Sequence, residues 1–312
     1  MEQSIFSTLR ETLGSLDSAL AQANTADSLQ PYLDFYSLPK PHAQLTVAAG
    51  TLTVDQTSVF AAAWKPPAPA GTAIVVHGYL DHLGLYSHLI QYLLDQNIAV
   101  VCFDLPGHGL SDGEPAHIEN FTEYTEVLAA VVEVCTANFS APLHGLGQSM
   151  GGAILLKHLI NTEKRGNYPF DSLNLFAPLL HPKGWPVSRR LIPLMRPFRK
   201  SIKRVFRRSS YDRAFLDFLR FEDPLQPRAI PLPWLMAADM WAREFPRSEG
   251  SEFPVNLIQG TADGTLDWQY NLGVFRDKLP GVQVQMIDTA NHHLVNEIES
   301  LRREIFTAID LG

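Results

Sequence analysis

Cysteine is nearly missing from this chain: Cys102 and Cys135 are the only two in 312 residues. Both fall in apolar stretches. They form neither a disulfide framework nor a zinc-ligand spacing, and read as small buried hydrophobes in a protein of a reducing compartment. No apolar run reaches the roughly 18 residues of a membrane-spanning helix. The opening Met1-Glu2-Gln3-Ser4-Ile5-Phe6 lacks the basic region and apolar core of a secretory leader. Internal repeats and low-complexity tracts are also missing. These absences point to a soluble, cytoplasmic, globular chain.

What is present suits a core. Hydrophobic residues make up 46% and charged residues 19%, which argues against wholesale disorder. Net charge is −8, but it is unevenly spread: residues 172–211 hold ten Lys or Arg and no Asp or Glu, leaving 15 basic against 33 acidic residues elsewhere. The acidic body speaks against nucleic acid as a partner. The basic segment suits an anionic surface or an anionic substrate.

Apolar residues at helical spacing (Ile5, Leu9, Leu13, Leu16, Leu20) predict one N-terminal helix over 4–22, within an extension spanning 1–40. It reads as an appendage. Between Gln44 and Trp64, β-branched and aromatic residues around Gly50 and Asp55 predict two antiparallel strands. From Thr72 onward short apolar strands alternate with longer helical stretches. Strands are expected at 73–76, 98–103, 142–146, 172–177, 254–259 and 282–287, and helices at 84–96, 121–137, 150–162, 267–279 and 293–309. Such alternation implies a mostly parallel sheet with helices on both faces, an α/β fold with a core of 41–177 and 253–312. The alternation breaks once, in the proline-rich stretch 178–252, which reads as an inserted helical cap.

Gly147-Gln148-Ser149-Met150-Gly151 follows the strand ending near Leu146 and precedes the helical run from Ala153. Strand, sharp turn and helix are the setting of a nucleophile elbow, in which Gly147 and Gly151 permit the strained turn that lifts the serine hydroxyl clear. A serine nucleophile needs a base and an orienting carboxylate. Asp263 lies just beyond the strand ending at Gln259, and His292 lies after the strand ending at Ile287. All three fall at the carboxyl ends of predicted parallel strands, where ligands gather in open α/β sheets. A tetrahedral intermediate further needs donors for its oxyanion, each worth about 3 kcal/mol. The Met150 N–H is one, and the Tyr79 N–H, in the loop His77-Gly78-Tyr79, is the second. His77 reads as a loop-shaping residue rather than a base. Asp104 and His108, in a Gly-Pro turn, read as holding that loop. Asp267 is an alternative acid, but its place before a helix suits a cap residue. No cofactor or metal is called for.

These motifs, with Phe103-Asp104-Leu105-Pro106-Gly107-His108-Gly109-Leu110-Ser111-Asp112-Gly113 between them, resemble the monoacylglycerol lipase and lysophospholipase branch of the α/β-hydrolases, the serine aminopeptidase S33-like group. Gly260 to Asp263 and Ala290-Asn291-His292-His293-Leu294-Val295-Asn296-Glu297 are similar to that family's acid and histidine motifs. The resemblance implies a Ser149, Asp263, His292 triad with an oxyanion hole from Tyr79 and Met150. It also favours His292 over His293, which then reads as a polar neighbour. Family members often have a small residue after His-Gly, so Tyr79 is expected to narrow the acyl entrance. The N-terminal extension has no counterpart in these motifs.

The expected substrate is a carboxylic ester carrying an acyl chain. An aminopeptidase of the same superfamily is the alternative within enzymes, and a non-catalytic binding protein of the same fold the alternative outside them. Between Arg189 and Arg208 the apolar residues Ile192, Met195, Phe198, Ile202 and Phe206 recur with cations between them. That pattern is expected either of a lid touching an anionic membrane or of a solvated basic surface whose apolar side packs inward.

Overall fold

The computed structural model describes residues 2–22, 27–163, 166 and 168–312. The N-terminal region forms α1 (Glu2–Thr12), α2 (Leu16–Gln22) and α3 (Gln30–Phe35). The expected single helix over 4–22 is thus two. The chain turns at Gly14, whose carbonyl accepts the Thr51 N–H at 2.9 Å, and Ser15 pairs with Thr51. A Cβ on Gly50 would lie 2.5 Å from Leu16 N, so glycine is what lets α2 approach the first strand this closely. Nor is the region an appendage: Phe6, Leu9, Tyr32, Leu33 and Tyr36 are buried in the same core as Phe60. The side chain of Ile5 lies outside the described residues.

Strands β1 (Thr46–Val54) and β2 (Thr57–Lys65) form the expected antiparallel pair. They are joined through Asp55 and Gln56, both at positive φ (45° and 68°), the geometry of a tight hairpin turn. There follow β3 (Gly71–Val76), α4 (Ser87–Asp95), β4 (Ile98–Phe103), α5 (Phe121–Asn138), β5 (Leu143–Gln148), α6 (Met150–Glu163) and β6 (Ser172–Phe176). The start of α5 is fixed by a capping box between Asn120 and Glu123.

After β6 the chain leaves the sheet and returns at Val255. This excursion holds α7 (Trp185–Met195), β7 (Ser201–Lys203), α8 (Arg213–Asp217), a π-helical turn over Phe218–Glu222, β8 (Ala229–Pro231) and α9 (Leu232–Glu244). Strands β7 and β8 pair antiparallel, a feature that three-residue segments do not announce in sequence. The chain closes with β9 (Val255–Gly260), α10 (Trp268–Lys278), β10 (Gln283–Ile287) and α11 (Glu299–Thr307). The predicted helix over 293–309 begins late because Glu297 turns inward, its carboxylate accepting the N–H groups of Asn291 and Tyr211, both at 2.7 Å.

The eight-stranded sheet has the order β1-β2-β4-β3-β5-β6-β9-β10 and is parallel from β4 onward. One face buries Val127, Leu128, Ile154 and Phe275 from α5, α6 and α10. The other buries Leu89 and Ile305 from α4 and α11, together with the N-terminal aromatics. Strand order reverses between β3 and β5, and the crevice beyond their carboxyl ends is where an open sheet of this kind takes its ligand.

Candidate active site

Ser149 stands between β5 and α6 with φ at +53°, a left-handed conformation rare for a residue with a side chain. The turn is tied down: the Ser149 N–H donates to Phe176 O at 2.8 Å and its carbonyl accepts from Leu179 N at 2.9 Å. A Cβ at 147 would meet Gly151 C at 2.6 Å, and one at 151 would meet Val76 O at 2.0 Å. Only glycine fits both places.

The loops after β9 and β10 bring the other two candidates to the serine. His292 Nε2 is 3.0 Å from Ser149 Oγ, and His292 Nδ1 is 2.8 Å from Asp263 Oδ2. With the carboxylate ionised, Nδ1 carries the proton and Nε2 accepts from the hydroxyl. Asp263 Oδ1 also accepts the N–H groups of Thr265 and Leu266, at 2.8 and 3.0 Å. Burial works to raise the Asp263 pKa, but His292 and these donors outweigh it and hold the acid below its ordinary range. For His292 burial opposes protonation, and the Asp263 charge overcomes that and raises the pKa above the usual 6.5. The loop itself is pinned from both sides: Gln148 Nε2 donates to His292 O at 2.9 Å, and Glu297 Oε1 accepts from both nitrogens of Asn291.

Met150 is the first residue of α6, and Tyr79 follows β3 on the adjoining strand. His77 has the loop-shaping contacts expected of it. Its Nε2 accepts the Leu105 N–H at 2.9 Å and its Nδ1–H donates to Gly78 O at 2.7 Å, while burial keeps it neutral with a pKa of about 3. Asp104 accepts the N–H groups of Leu83 and Leu110, and His108 Nδ1 bonds Pro106 O, so both serve local structure. Asp267 precedes α10, yet its side chain caps nothing and its link to the helix is through its backbone carbonyl.

The histidine beside the site has a partner that sequence reasoning missed. His293 Nε2 is 3.0 Å from Asp81 Oδ2, and Tyr86 Oη donates to that same oxygen at 3.2 Å while accepting the Gly78 N–H at 2.8 Å. This chain of bonds fixes the loop that carries Tyr79. The Tyr79 ring in turn stacks on Trp234 of α9, centroids 3.4 Å apart, and its hydroxyl donates to Ala116 O.

Ser149 and His292 open on a cavity of about 530 Å³. Its apolar walls come from Leu179, Leu216, Leu219, Ile230, Trp234 and Leu266, most of them from the excursion after β6. Tyr79 lines it too. Arg204, Arg207 and Arg208, from the basic segment, face the same space. Among the described residues, no group of three or more His, Cys, Asp or Glu is arranged to hold a metal ion, and no helix is long and apolar enough to cross a membrane.

Residues 67–299 match the family model described as serine aminopeptidase, S33. The chain belongs to that family. Its sheet and surrounding helices are those of an α/β-hydrolase: the structure of a soluble variant of monoglyceride lipase from Saccharomyces cerevisiae superposes with a TM-score of 0.71 over 86% of this chain and 96% of that one, at 17% identity. Among relatives in sequence, the monoacylglycerol lipase of Mycolicibacterium smegmatis is 32% identical over 97 residues, which is 30% of this chain and 35% of that protein. The human monoglyceride lipase is 30% identical over 131 residues, 41% of this chain and 42% of the relative. The chain therefore spans under half the length of each of these two lipases.

Proposed function

We propose that the protein hydrolyses carboxylic esters of acyl lipids, of monoacylglycerol or lysophospholipid type, with Ser149 as nucleophile, His292 as general base and Asp263 as the orienting acid. The observation that carries this reading is His292 set between Ser149 Oγ at 3.0 Å and Asp263 Oδ2 at 2.8 Å, at the edge of an apolar-walled cavity. In this mechanism Ser149 Oγ attacks the ester carbonyl as its proton passes to His292 Nε2, and the imidazolium is stabilised by Asp263. The Tyr79 and Met150 N–H groups receive the oxyanion. Collapse expels the alcohol, protonated by His292, and leaves an acyl-Ser149 ester. Water, deprotonated by the same imidazole, then releases the fatty acid. Residues 178–252 serve as the cap over the acyl chain. The names of the M. smegmatis and human relatives support the substrate class.

The reading includes contact of residues 189–208 with an anionic membrane. Val187, Leu191, Leu194 and Phe198 stand 65%, 50%, 68% and 86% exposed. Their spacing of four, three and four residues puts them along one face of α7 and its end, with Arg189, Arg190 and Arg196 between them in sequence and Arg199 just after. Ile192 of the stripe expected from sequence packs inward instead. The test is labelling by a fluorophosphonate together with a panel of acyl esters. Labelling and turnover in the wild-type chain, both lost in Ser149→Ala, support the reading. Unchanged turnover in a pure Ser149→Ala sample rejects it.

A further inference from the structure

Five arginines, Arg204, Arg207, Arg208, Arg213 and Arg220, line the cavity that opens on Ser149. The two carboxylates on the same lining are Asp81, engaged by His293 at 3.0 Å, and Asp217. Among the described residues the arginine ion pairs are made by Arg243, Arg302 and Arg303, and none of the five cavity arginines takes part in one.

Arg204 is the best placed. Its guanidinium lies over the Phe206 ring, 4.4 Å from the centroid, and its Nη1 donates to Gln226 Oε1 and Pro227 O. Both bonds use one nitrogen, and among the described residues no acceptor meets its Nε or Nη2. Burial disfavours its charge, and the nearby Asp81 carboxylate works to restore it. Arg208 lies over Tyr211, 4.2 Å from its ring centroid. Aromatic support of this kind orients a guanidinium while leaving its edge free for an oxyanion. An apolar-walled cavity lined by five arginines, two of them oriented on aromatic rings, suits an amphiphile that ends in a group with more than one anionic oxygen. A neutral glycerol head would accept hydrogen bonds there through its hydroxyls but leave the arginine charge uncompensated.

We infer that the cavity takes an acyl ester whose alcohol part carries a phosphate, with Arg204 and Arg208 holding the phosphate oxygens. The inference rests on the reading of this cavity as an ester site and narrows its substrate. Phosphate fits better than a single carboxylate because its three outer oxygens can accept from more than one fork at once.

Binding to the inactive Ser149→Ala protein tests it separately from catalysis. The probes are hexanoylglycerol 3-phosphate and hexanoylglycerol, both below the concentration at which they aggregate, followed by calorimetry at low and high salt. The phosphate ester is expected to bind at least tenfold more tightly, with the advantage shrinking in salt. Adding Arg204→Gln or the exposed Arg208→Gln should reduce that advantage several-fold each. Arg204→Lys, which keeps the charge but not the fork, should restore only part of it. Equal binding of the two esters, or an advantage that survives all the substitutions, overturns the inference. So does an anion effect seen only on vesicles containing phosphatidylglycerol and not with the soluble ester. Tight binding of the phosphate ester without turnover by the wild-type chain would sustain this inference and count against the hydrolase reading instead.

Discussion

His293 turns its Nε2 to Asp81, 3.0 Å away, while the adjacent His292 faces Ser149 and Asp263. Two neighbouring imidazoles thus have two carboxylate partners and only one reaches the serine. His292→Ala should lower kcat/KM by on the order of 10⁵-fold or more, as loss of a general base does in serine hydrolases. His293→Ala removes a brace on the Tyr79 loop, and misplacement of the oxyanion donor proposed there by a fraction of an ångström should cost about 10- to 100-fold. Ester kinetics of the two variants decide it. A larger loss in His293→Ala would move the base by one residue.

The acid is checked in the same way, with pH as a second readout. Asp263→Asn should drop kcat by about 10⁴-fold, since the amide cannot favour the tautomer with Nε2 bare. Asp267→Asn should have little effect, its side chain making no bond to the α10 terminus. His292 must be neutral to act, and Asp263 raises its pKa above the ordinary 6.5, so the acid limb of kcat/KM should lie above that value. In Asp263→Asn burial remains while the attracting charge is gone, and the residual activity should keep its limb at lower pH. An unshifted limb would mean that some other group sets it.

How far the sequence foretold this arrangement depended on the range of the interactions. Strands such as Ile98–Phe103 are short apolar runs bounded by turn residues, and Ser149, Asp263 and His292 are each marked by the strand that precedes them. Their meeting follows from topology alone. Asp81 carries no such mark, because its partner His293 lies 212 residues further on. The break at Gly14 was hidden by an unbroken apolar period, and it appears only because β1 takes the Gly14 carbonyl as an edge partner. For the basic segment the sequence left an anionic surface and an anionic substrate both open, for the ten cations together. The fold divides them, sending Arg204 toward the cavity and leaving Arg189 to Arg199 on the outside.

The N-terminal region meets the segment between β6 and β9 through the rings of Phe35 and Tyr36 on Phe218, 5.7 and 6.0 Å between centroids, and through a buried carboxylate. Asp223 accepts from Tyr36 Oη, His82 Nε2 and Gln226 Nε2, each at 2.9 Å. Tyr36→Phe leaves a charged acceptor short of a donor in the interior, which should cost about 1.5–3 kcal/mol. For a chain of this size that is a fall in Tm of several degrees, read by calorimetry. Burial disfavours the charged His82, but Asp223 raises its folded pKa above the ordinary 6.5, so its contribution is full below that value and is lost as pH rises through the folded one. Asp223, held below its ordinary 3.8 despite burial, contributes above that value and loses its contribution as pH falls through the folded one. His82→Gln should therefore reduce Tm most in mildly acidic solution. A Tm unaffected by Tyr36→Phe would show that the Tyr36–Asp223 bond does not hold the extension to the segment between β6 and β9.

The outer face of α7 supplies the last expectation. Leu194 and Phe198 are 68% and 86% exposed beside Arg196, Arg199 and Lys200, all on the surface. Each cation near an anionic membrane contributes about 1 kcal/mol, so replacing Arg196, Arg199 and Lys200 with glutamine should weaken binding to phosphatidylglycerol vesicles by roughly a hundredfold at low salt. Salt should weaken the wild type much more than this variant, because the screened charges are those removed. Leu194→Ser with Phe198→Ser should weaken binding at both salt levels, since apolar insertion is not screened. Arg204 is left in place because it lines the cavity, and turnover of a short soluble ester should stay near wild type in both variants. Co-sedimentation with vesicles beside soluble-ester kinetics separates the roles. If vesicle binding is unchanged while soluble turnover collapses, these residues belong to the substrate path. Unchanged binding with unchanged turnover would mean that the face is an ordinary solvated surface, its apolar residues merely tolerated there.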